Sequence, residues 1–110
     1  MKFAVVRAYA LGLPEVTEQP HHHFTSFRVR GKIFATAPPD EQLLHLFVKE
    51  EQRQPALALH GNFVEKLLWG GKVVGLRVTL AAATPAAVKH LVLQAWESKA
   101  PRALLAPAKR

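Results

Sequence analysis

Cysteine is absent from the 110 residues, and no long apolar run is present. Without cysteine the chain forms no disulfide, thiolate zinc site or iron–sulfur cluster, and it has no thiol nucleophile. This absence is typical of a reducing compartment, and we expect a cytoplasmic location. No apolar stretch approaches the roughly 20 residues that span a bilayer, so we expect no membrane partner.

Side chains that carry catalysis are scarce. Asp40 is the single aspartate, Ser26 and Ser98 are the only serines, and no glycine-rich loop has the form that cradles phosphates or dinucleotides. His45 with Glu50 is only weak evidence for a catalytic pair, because histidine and glutamate are common on surfaces. We therefore predict that the protein is not an enzyme and uses no cofactor.

Basic residues are in excess, with 15 Lys and Arg against 8 Asp and Glu, a net charge of +7. Residues 54–110 carry eight bases and two acids, whereas residues 1–53 carry seven and six. About half of the residues are apolar, enough for a core without disulfides or metal. We predict one domain over residues 1–110, of which about 101–110 form a basic, mobile tail.

Helical spacing marks both ends of the chain. Phe3, Val6 and Ala10 share one helical face, and Gly12 stops the helix, which we place at Lys2 to Leu11. A second helix begins after the pair Thr84-Pro85 and ends before Pro101. Its apolar stripe consists of Val88, Leu91, Val92, Ala95 and Trp96. We expect Trp96 and Phe34 to be core anchors.

Alternating residues between these helices predict strands. Phe27 and Val29 alternate with arginines, Gly31 supplies a turn, and Ile33 to Thr36 forms the returning strand. A third strand covers Leu44 to Val48, a short helix begins at Glu50 or near Pro55, and one or two strands follow up to Leu80. The order predicts an α+β two-layer sandwich, with an antiparallel sheet of about five strands and helices packed on one face.

The open face of that sheet is the predicted binding surface. Strand alternation places Arg28 and Arg30 there, with Lys32 at the turn and apolar Ile33 and Ala35 beside them. Such a surface contacts phosphates, although an ordinary solvated sheet face explains the same pattern. The predicted DNA contacts are Arg28, Arg30, Lys32, Lys72, Arg77 and His22.

The run His21-His22-His23 also favours a metal site, because imidazole is a common ligand. Adjacent side chains of a strand point to opposite faces, however, and no second cluster adds carboxylates at ligand spacing. The alternative is a polar strand entry that supports a phosphate contact when protonated. We predict no metal, and the first helix has no acid that would bind iron.

The segments Leu13-Pro14-Glu15, Pro20-His21 and Phe27-Arg28-Val29-Arg30-Gly31-Lys32-Ile33-Phe34-Ala35 resemble the first half of the MmcQ/YjbR family of small bacterial proteins. The later elements follow in the order that the family shows. The resemblance implies a fold similar to bacterial frataxin (CyaY-like) and a DNA-binding function. One departure is Gly75-Leu76, where the family commonly has Gly-Trp.

Together these observations predict a non-catalytic protein that binds DNA or another polyanion through a basic sheet face. The alternative is a small interaction or ligand-binding protein without a nucleic-acid function, linked to drug resistance as the first half of the family name suggests. A continuous positive surface would favour the polyanion. An apolar pocket containing Ile33 and Phe47 would favour a small molecule.

Overall fold

A computed structural model describes residues 1–105 of the chain. In chain order its elements are α1 (Phe3–Leu11), β1 (Val16–His21), β2 (Phe24–Val29), β3 (Lys32–Ala37), β4 (Leu43–Leu46), α2 (Glu50–Leu59), β5 (Val64–Trp69), β6 (Lys72–Thr79), α3 (Pro85–Lys99) and α4 (Arg102–Leu105). None of the helices within this range has the length and apolar character needed to cross a membrane.

The strands form one antiparallel sheet in the order β1-β2-β3-β4-β6-β5, and helices pack on it. The predicted α+β fold is confirmed, but the sheet has six strands rather than about five. The additional strand is β1, which pairs with β2 along its whole length. Its residues are exposed apart from half-buried Val16, so it lacks apolar alternation, and its Pro20 is tolerated because the strand is an edge.

The core lies between the sheet and helices α1 and α3. The rings of Phe3 in α1 and Phe27 in β2 stand 6.1 Å apart, and Phe34 is fully buried in the same cluster. Trp96 of α3 is also buried, and its indole N–H donates to the carbonyl of Pro14 at 3.1 Å. The two expected core anchors, Phe34 and Trp96, are therefore confirmed.

The β2–β3 hairpin contains a bulge that changes which side chains reach the open face. Arg28 lies opposite Ile33 but Phe27 lies opposite Ala35, so Phe34 is an extra residue in β3. Ile33 faces outward as predicted, whereas Ala35 is buried in the core cluster. The prediction that Ala35 belongs to the open face is wrong, because the bulge reverses the alternation after Phe34.

Helix α2 begins at Glu50 and continues through Pro55, which decides between the two expected starting points. Beyond α3, the short helix α4 packs Leu104 and Leu105 against the core cluster. The first half of the expected mobile tail is thus folded onto the domain. Residues 106–110, the rest of that tail, lie outside the described residues.

Candidate binding surfaces

The open face of the sheet is the side turned away from the core. Register pairs Ser26 with Thr36 and Thr36 with His45, so these three polar residues share this face. A cavity of about 480 Å³ lies on it. Its walls include Ile33 and Phe47, the two apolar residues that the sequence analysis associates with a ligand pocket.

Aromatic rings form much of this cavity. Phe24, Phe47 and Trp69 all line it, and the rings of Phe47 and Trp69 meet edge to face with centroids 5.3 Å apart. Trp69 is 56% exposed, an unusual fraction for so large an apolar side chain. Lys99, at the C-terminal end of α3, lines the same cavity.

Three backbone contacts fix the position of Phe47. Its N–H donates to the carbonyl of Phe34 at 3.0 Å, and its carbonyl accepts the hydroxyl hydrogen of Ser98 at 2.7 Å. Gly75 of β6 lies against the backbone of Leu46 and Phe47, where a Cβ would be 3.2 Å from the Cα of Phe47 and would overlap the carbonyl oxygen of Leu46. The missing side chain of Gly75 lets β4 and β6 approach here.

His45 and Thr36 are the buried polar residues of the cavity wall, with 8% and 4% of their surfaces exposed. The Nδ1 of His45 lies 3.4 Å from the hydroxyl of Thr36, and its Nε2 has no hydrogen-bond partner among the described residues. Burial, followed by the charge of Arg77, lowers the pKa of His45 below its ordinary value. Both effects favour the neutral form of the imidazole.

The predicted arginines do not converge into one site. Arg30 lies in the β2–β3 turn rather than on the strand, and both its Nε and Nη2 bind the carboxylate of Glu15. The Glu15 carboxylate raises the pKa of Arg30, and the guanidinium lowers the pKa of Glu15. Arg77 of β6 binds Glu65 of the edge strand β5 at 3.0 Å.

Arg28 and His22 occupy different parts of the open face. Arg28 donates from Nε to the hydroxyl of Ser26 at 3.1 Å and has no carboxylate within ion-pair distance among residues 1–105. His22 lies in the β1–β2 turn with a positive φ of 59°, its ring 4.7 Å from that of His21. No group of three His, Asp or Glu side chains within the described range could hold a metal ion.

One end of the sheet collects lysines. Strands β2, β4 and β5 run toward this end, and β3 and β6 begin at it, as the pairings Val29 with Lys32 and Trp69 with Lys72 show. Helix α3 also ends here, because Ser98 binds the carbonyl that follows β4. We call this region the basic end and define it by Lys32, Lys49, Lys72 and Lys99.

Among residues 1–105, the lysines of the basic end have no acidic partner within ion-pair distance. All ion pairs of the described residues use Arg7, Arg30 or Arg77, and none uses a lysine. Lys32, Lys49 and Lys72 are exposed and Lys99 is partly exposed. Two predicted contacts, Lys32 and Lys72, thus lie together at this end, and Arg30 is near them in the β2–β3 turn but paired.

A second group of cations borders the basic end. Lys66, Lys72 and Arg53 line a cleft of about 420 Å³ between α2 and the β5–β6 hairpin, with Glu50 as its only acid. Arg53 donates to the carbonyls of Val48 and Val73 at 3.1 and 3.2 Å, which ties α2 to β6.

Sequence reasoning missed Lys49, Lys66, Lys99 and Arg53 as members of a basic surface. Each is an ordinary surface residue in its own segment, and only the strand order together with the packing of α2 and α3 brings them together. It also missed His45 as a cavity residue and Trp69 as a wall facing Phe47. Strand alternation around His45 was the available signal, since its neighbours Leu44 and Leu46 point into the core.

Comparisons with known proteins agree on one family of folds. A family model described as YjbR matches residues 11–98. Among solved structures, Deinococcus radiodurans protein DR2400, described as a DUF419 domain, is similar over 98% of this chain and 88% of that chain, with a TM-score of 0.75 and 16% sequence identity. An identity this low concerns the fold alone. No curated protein matches the sequence.

Proposed function

The chain belongs to the YjbR family, and we propose that this member binds the phosphate backbone of nucleic acid through the basic end of its sheet. The resemblance to bacterial frataxin remains an expectation, and so does catalytic inactivity. We also propose that the protein is not an enzyme, because the cavity on the open face contains no serine, aspartate or glutamate beside His45.

The observation that carries the proposal is the set of unpaired lysines at one end of the sheet. A lysine ammonium without a carboxylate partner can neutralise a phosphate and release a condensed counterion. Four such contacts on a duplex would give a salt slope of about −3.6 in a plot of log affinity against log salt concentration. Backbone contacts of this kind carry no sequence information, so we expect little sequence preference.

The proposed contact surface for nucleic acid is the basic end of the sheet, whereas the sequence predicted the open face. Arg30 and Arg77 already bind Glu15 and Glu65, so a phosphate would have to displace a carboxylate from each. Lys32 and Lys72 need no such exchange. Arg28 lies opposite Ile33, one step inside the basic end, and is the one predicted arginine that can add to it.

Fluorescence anisotropy of a labelled duplex in a salt series tests the proposal. The variant Lys32→Ala/Lys72→Ala is compared with Arg30→Ala/Arg77→Ala, which lowers the net charge by the same two units. In the lysine variant, we expect the slope of log affinity against log salt concentration to become shallower by about two units. The arginine variant should change less, because each lost arginine was already paired. Equal losses in both variants, or no binding by the wild type at moderate salt, would reject the basic end.

A second candidate function is the binding of a small ligand. It is favoured by one specific observation, the meeting of Ile33 and Phe47 in a cavity of about 480 Å³. This volume lies within the range of small-molecule sites, roughly 300 to 1,000 Å³. Lys99 belongs to both surfaces. The other residues differ, and substitutions at Lys32 and Lys72 or at the cavity residues can therefore separate the two candidates.

A further inference from the structure

We infer that the cavity on the open face binds a flat aromatic heterocycle that carries a phosphate, stacked against Trp69 and Phe47 with a polar ring edge directed toward His45. The inference rests on the second candidate function, ligand binding, and of the four lysines of the basic end it uses only Lys99. The same chemistry occurs in a free nucleotide and in an unpaired base of a single strand.

The aromatic walls suit a flat ring. Phe47 is held by backbone bonds to Phe34 and Ser98, so its position is fixed before a ligand arrives. Trp69 meets it edge to face at 5.3 Å and leaves more than half of its own surface exposed. Stacking on such a side chain stabilises a bound base and tolerates any base, because every base has a π-face.

The polar wall of the cavity contains a buried nitrogen atom, Nε2 of His45, to which a ligand can hydrogen-bond. The Nε2 of His45 is buried without a partner among the described residues, and a buried polar atom in this state is unfavourable because it has lost its hydrogen bonds to water. A ring nitrogen or exocyclic group of a heterocycle can supply that hydrogen bond, whereas a pure hydrocarbon cannot. Neighbouring side chains cover Nε2, so entry requires a shift of a group such as Phe24, whose ring centroid lies 6.0 Å from that of His45.

A lysine at the rim of the cavity is the proposed contact for the phosphate group of the ligand. Lys99 lines the cavity beside Phe47 and Trp69, and it has no acidic partner among residues 1–105. A phosphate attached to the stacked ring would meet this ammonium group. The lining contains no Asp or Glu side chain that would repel it.

This geometry favours an unpaired ring over duplex DNA. A base in a duplex is stacked and paired, and to reach Trp69 and His45 it would have to leave the helix and lose its stacking and pairing. A free nucleotide or a single strand enters without that cost.

The test is an NMR titration of the ¹⁵N-labelled protein with three probes: adenosine 5′-monophosphate, a (dA)₁₂ single strand and the matching duplex. The indole N–H of Trp69 reports on the cavity. The indole N–H of the buried Trp96, which donates to the carbonyl of Pro14, is the internal control. We expect the monophosphate and the single strand to shift the Trp69 signal and leave the Trp96 signal in place.

The variants Trp69→Ala and His45→Phe connect the shifts to the proposed contacts, with cavity amides as the readout. We expect Trp69→Ala to weaken the monophosphate affinity roughly tenfold and His45→Phe roughly fivefold. An unchanged Trp96 signal verifies that each variant is folded. Lys32→Ala/Lys72→Ala should leave the affinity for the monophosphate unchanged, so failure of the basic end and failure of the cavity are distinguishable.

The probes also identify the source of the ring. If both the monophosphate and the single strand bind the cavity, the ring can come from nucleic acid. If only the monophosphate binds, the ligand is a free nucleotide. The inference is overturned if neither probe shifts the Trp69 signal at millimolar concentration, or if affinity is unchanged in both cavity variants.

Discussion

Arg30 and Glu15 form two parallel hydrogen bonds, Nε to Oε1 at 2.8 Å and Nη2 to Oε2 at 2.9 Å. Both residues have positive φ angles, 47° and 57°, so two tight turns bring the side chains together. The bidentate geometry joins the β2–β3 turn to the start of β1. It also neutralises an arginine that would otherwise belong to the basic surface.

The variant Glu15→Gln tests this neutralisation. It frees the guanidinium of Arg30 next to Lys32 and raises the net charge by one. If nucleic acid contacts the basic end, duplex affinity should rise several-fold and the salt slope should steepen by about one unit. The control is Glu18→Gln, which raises the net charge equally but removes a partner of Arg7 in α1, and Arg7 keeps Glu41 at 3.5 Å. Equal effects of the two variants in anisotropy measurements would contradict the account.

Gly75 should tolerate no side chain. A Cβ at this position would overlap the carbonyl oxygen of Leu46 and crowd Phe47. We expect Gly75→Ala to lower the free energy of unfolding by about 2 kcal/mol or more. Gly12→Ala is the control, because its φ is −78° and a Cβ there makes ordinary contacts of 3.4 Å or longer. Urea denaturation of both variants measures the difference, and similar values for the two would refute this prediction.

Stability should fall in mild acid because of His45. Burial, followed by the charge of Arg77, lowers the pKa of His45 from 6.5 in the folded state. The unfolded chain therefore takes up a proton near pH 6.5 that the folded chain takes up only at lower pH. The part of the stability that depends on His45 is fully present above about pH 7. It is lost as the pH falls through the pKa of His45 in the folded protein.

Thermal melting between about pH 7.5 and pH 5 measures this loss, and His45→Phe should reduce it. The Glu15–Arg30 pair acts in a separate window. Arg30 lowers the pKa of Glu15 from 4.5, so its contribution is lost only in stronger acid. A wild-type melting temperature that is flat across the mild-acid range would contradict the burial of a neutral His45.

Arg53 should matter for stability rather than for binding. It donates to the carbonyls of Val48 and Val73, and Arg53→Met leaves both acceptors without this donor. We expect a loss of about 1–3 kcal/mol in unfolding free energy. Arg102→Met, which alters an exposed residue of α4, should change stability by less than about 0.5 kcal/mol. Equal losses would show that the two carbonyl bonds contribute nothing.

Local patterns were sufficient to predict most of the fold. Helical spacing at Phe3 and Val6 gave α1, and the pair Thr84-Pro85 gave the start of α3. The turn at Gly31 was also readable, because Gly31 adopts a positive φ of 82°. Strand β1 was not predicted, because an exposed edge strand has no buried apolar face. Its sequence therefore shows no alternation of apolar and polar residues.

The candidate sites were less predictable because they depend on contacts between distant segments. The pairing of Arg30 with Glu15 joins residues 15 positions apart in sequence, and no local pattern distinguishes a paired from an unpaired arginine. The bulge at Phe34 moves Ala35 into the core, which a strict period of two cannot anticipate. Lys32 and Lys72 were identified individually, but their neighbours Lys49 and Lys99 required the strand order.

The most direct test of the central claim is a map of the amide signals that a short DNA duplex perturbs at low salt. We predict shifts at the turns and chain ends of the basic end, near Gly31, Lys49, Gly71 and Lys99. High salt should abolish them, because backbone contacts depend on counterion release. Shifts centred on the opposite end of the sheet, near His22, or spread evenly over the molecule would contradict the account.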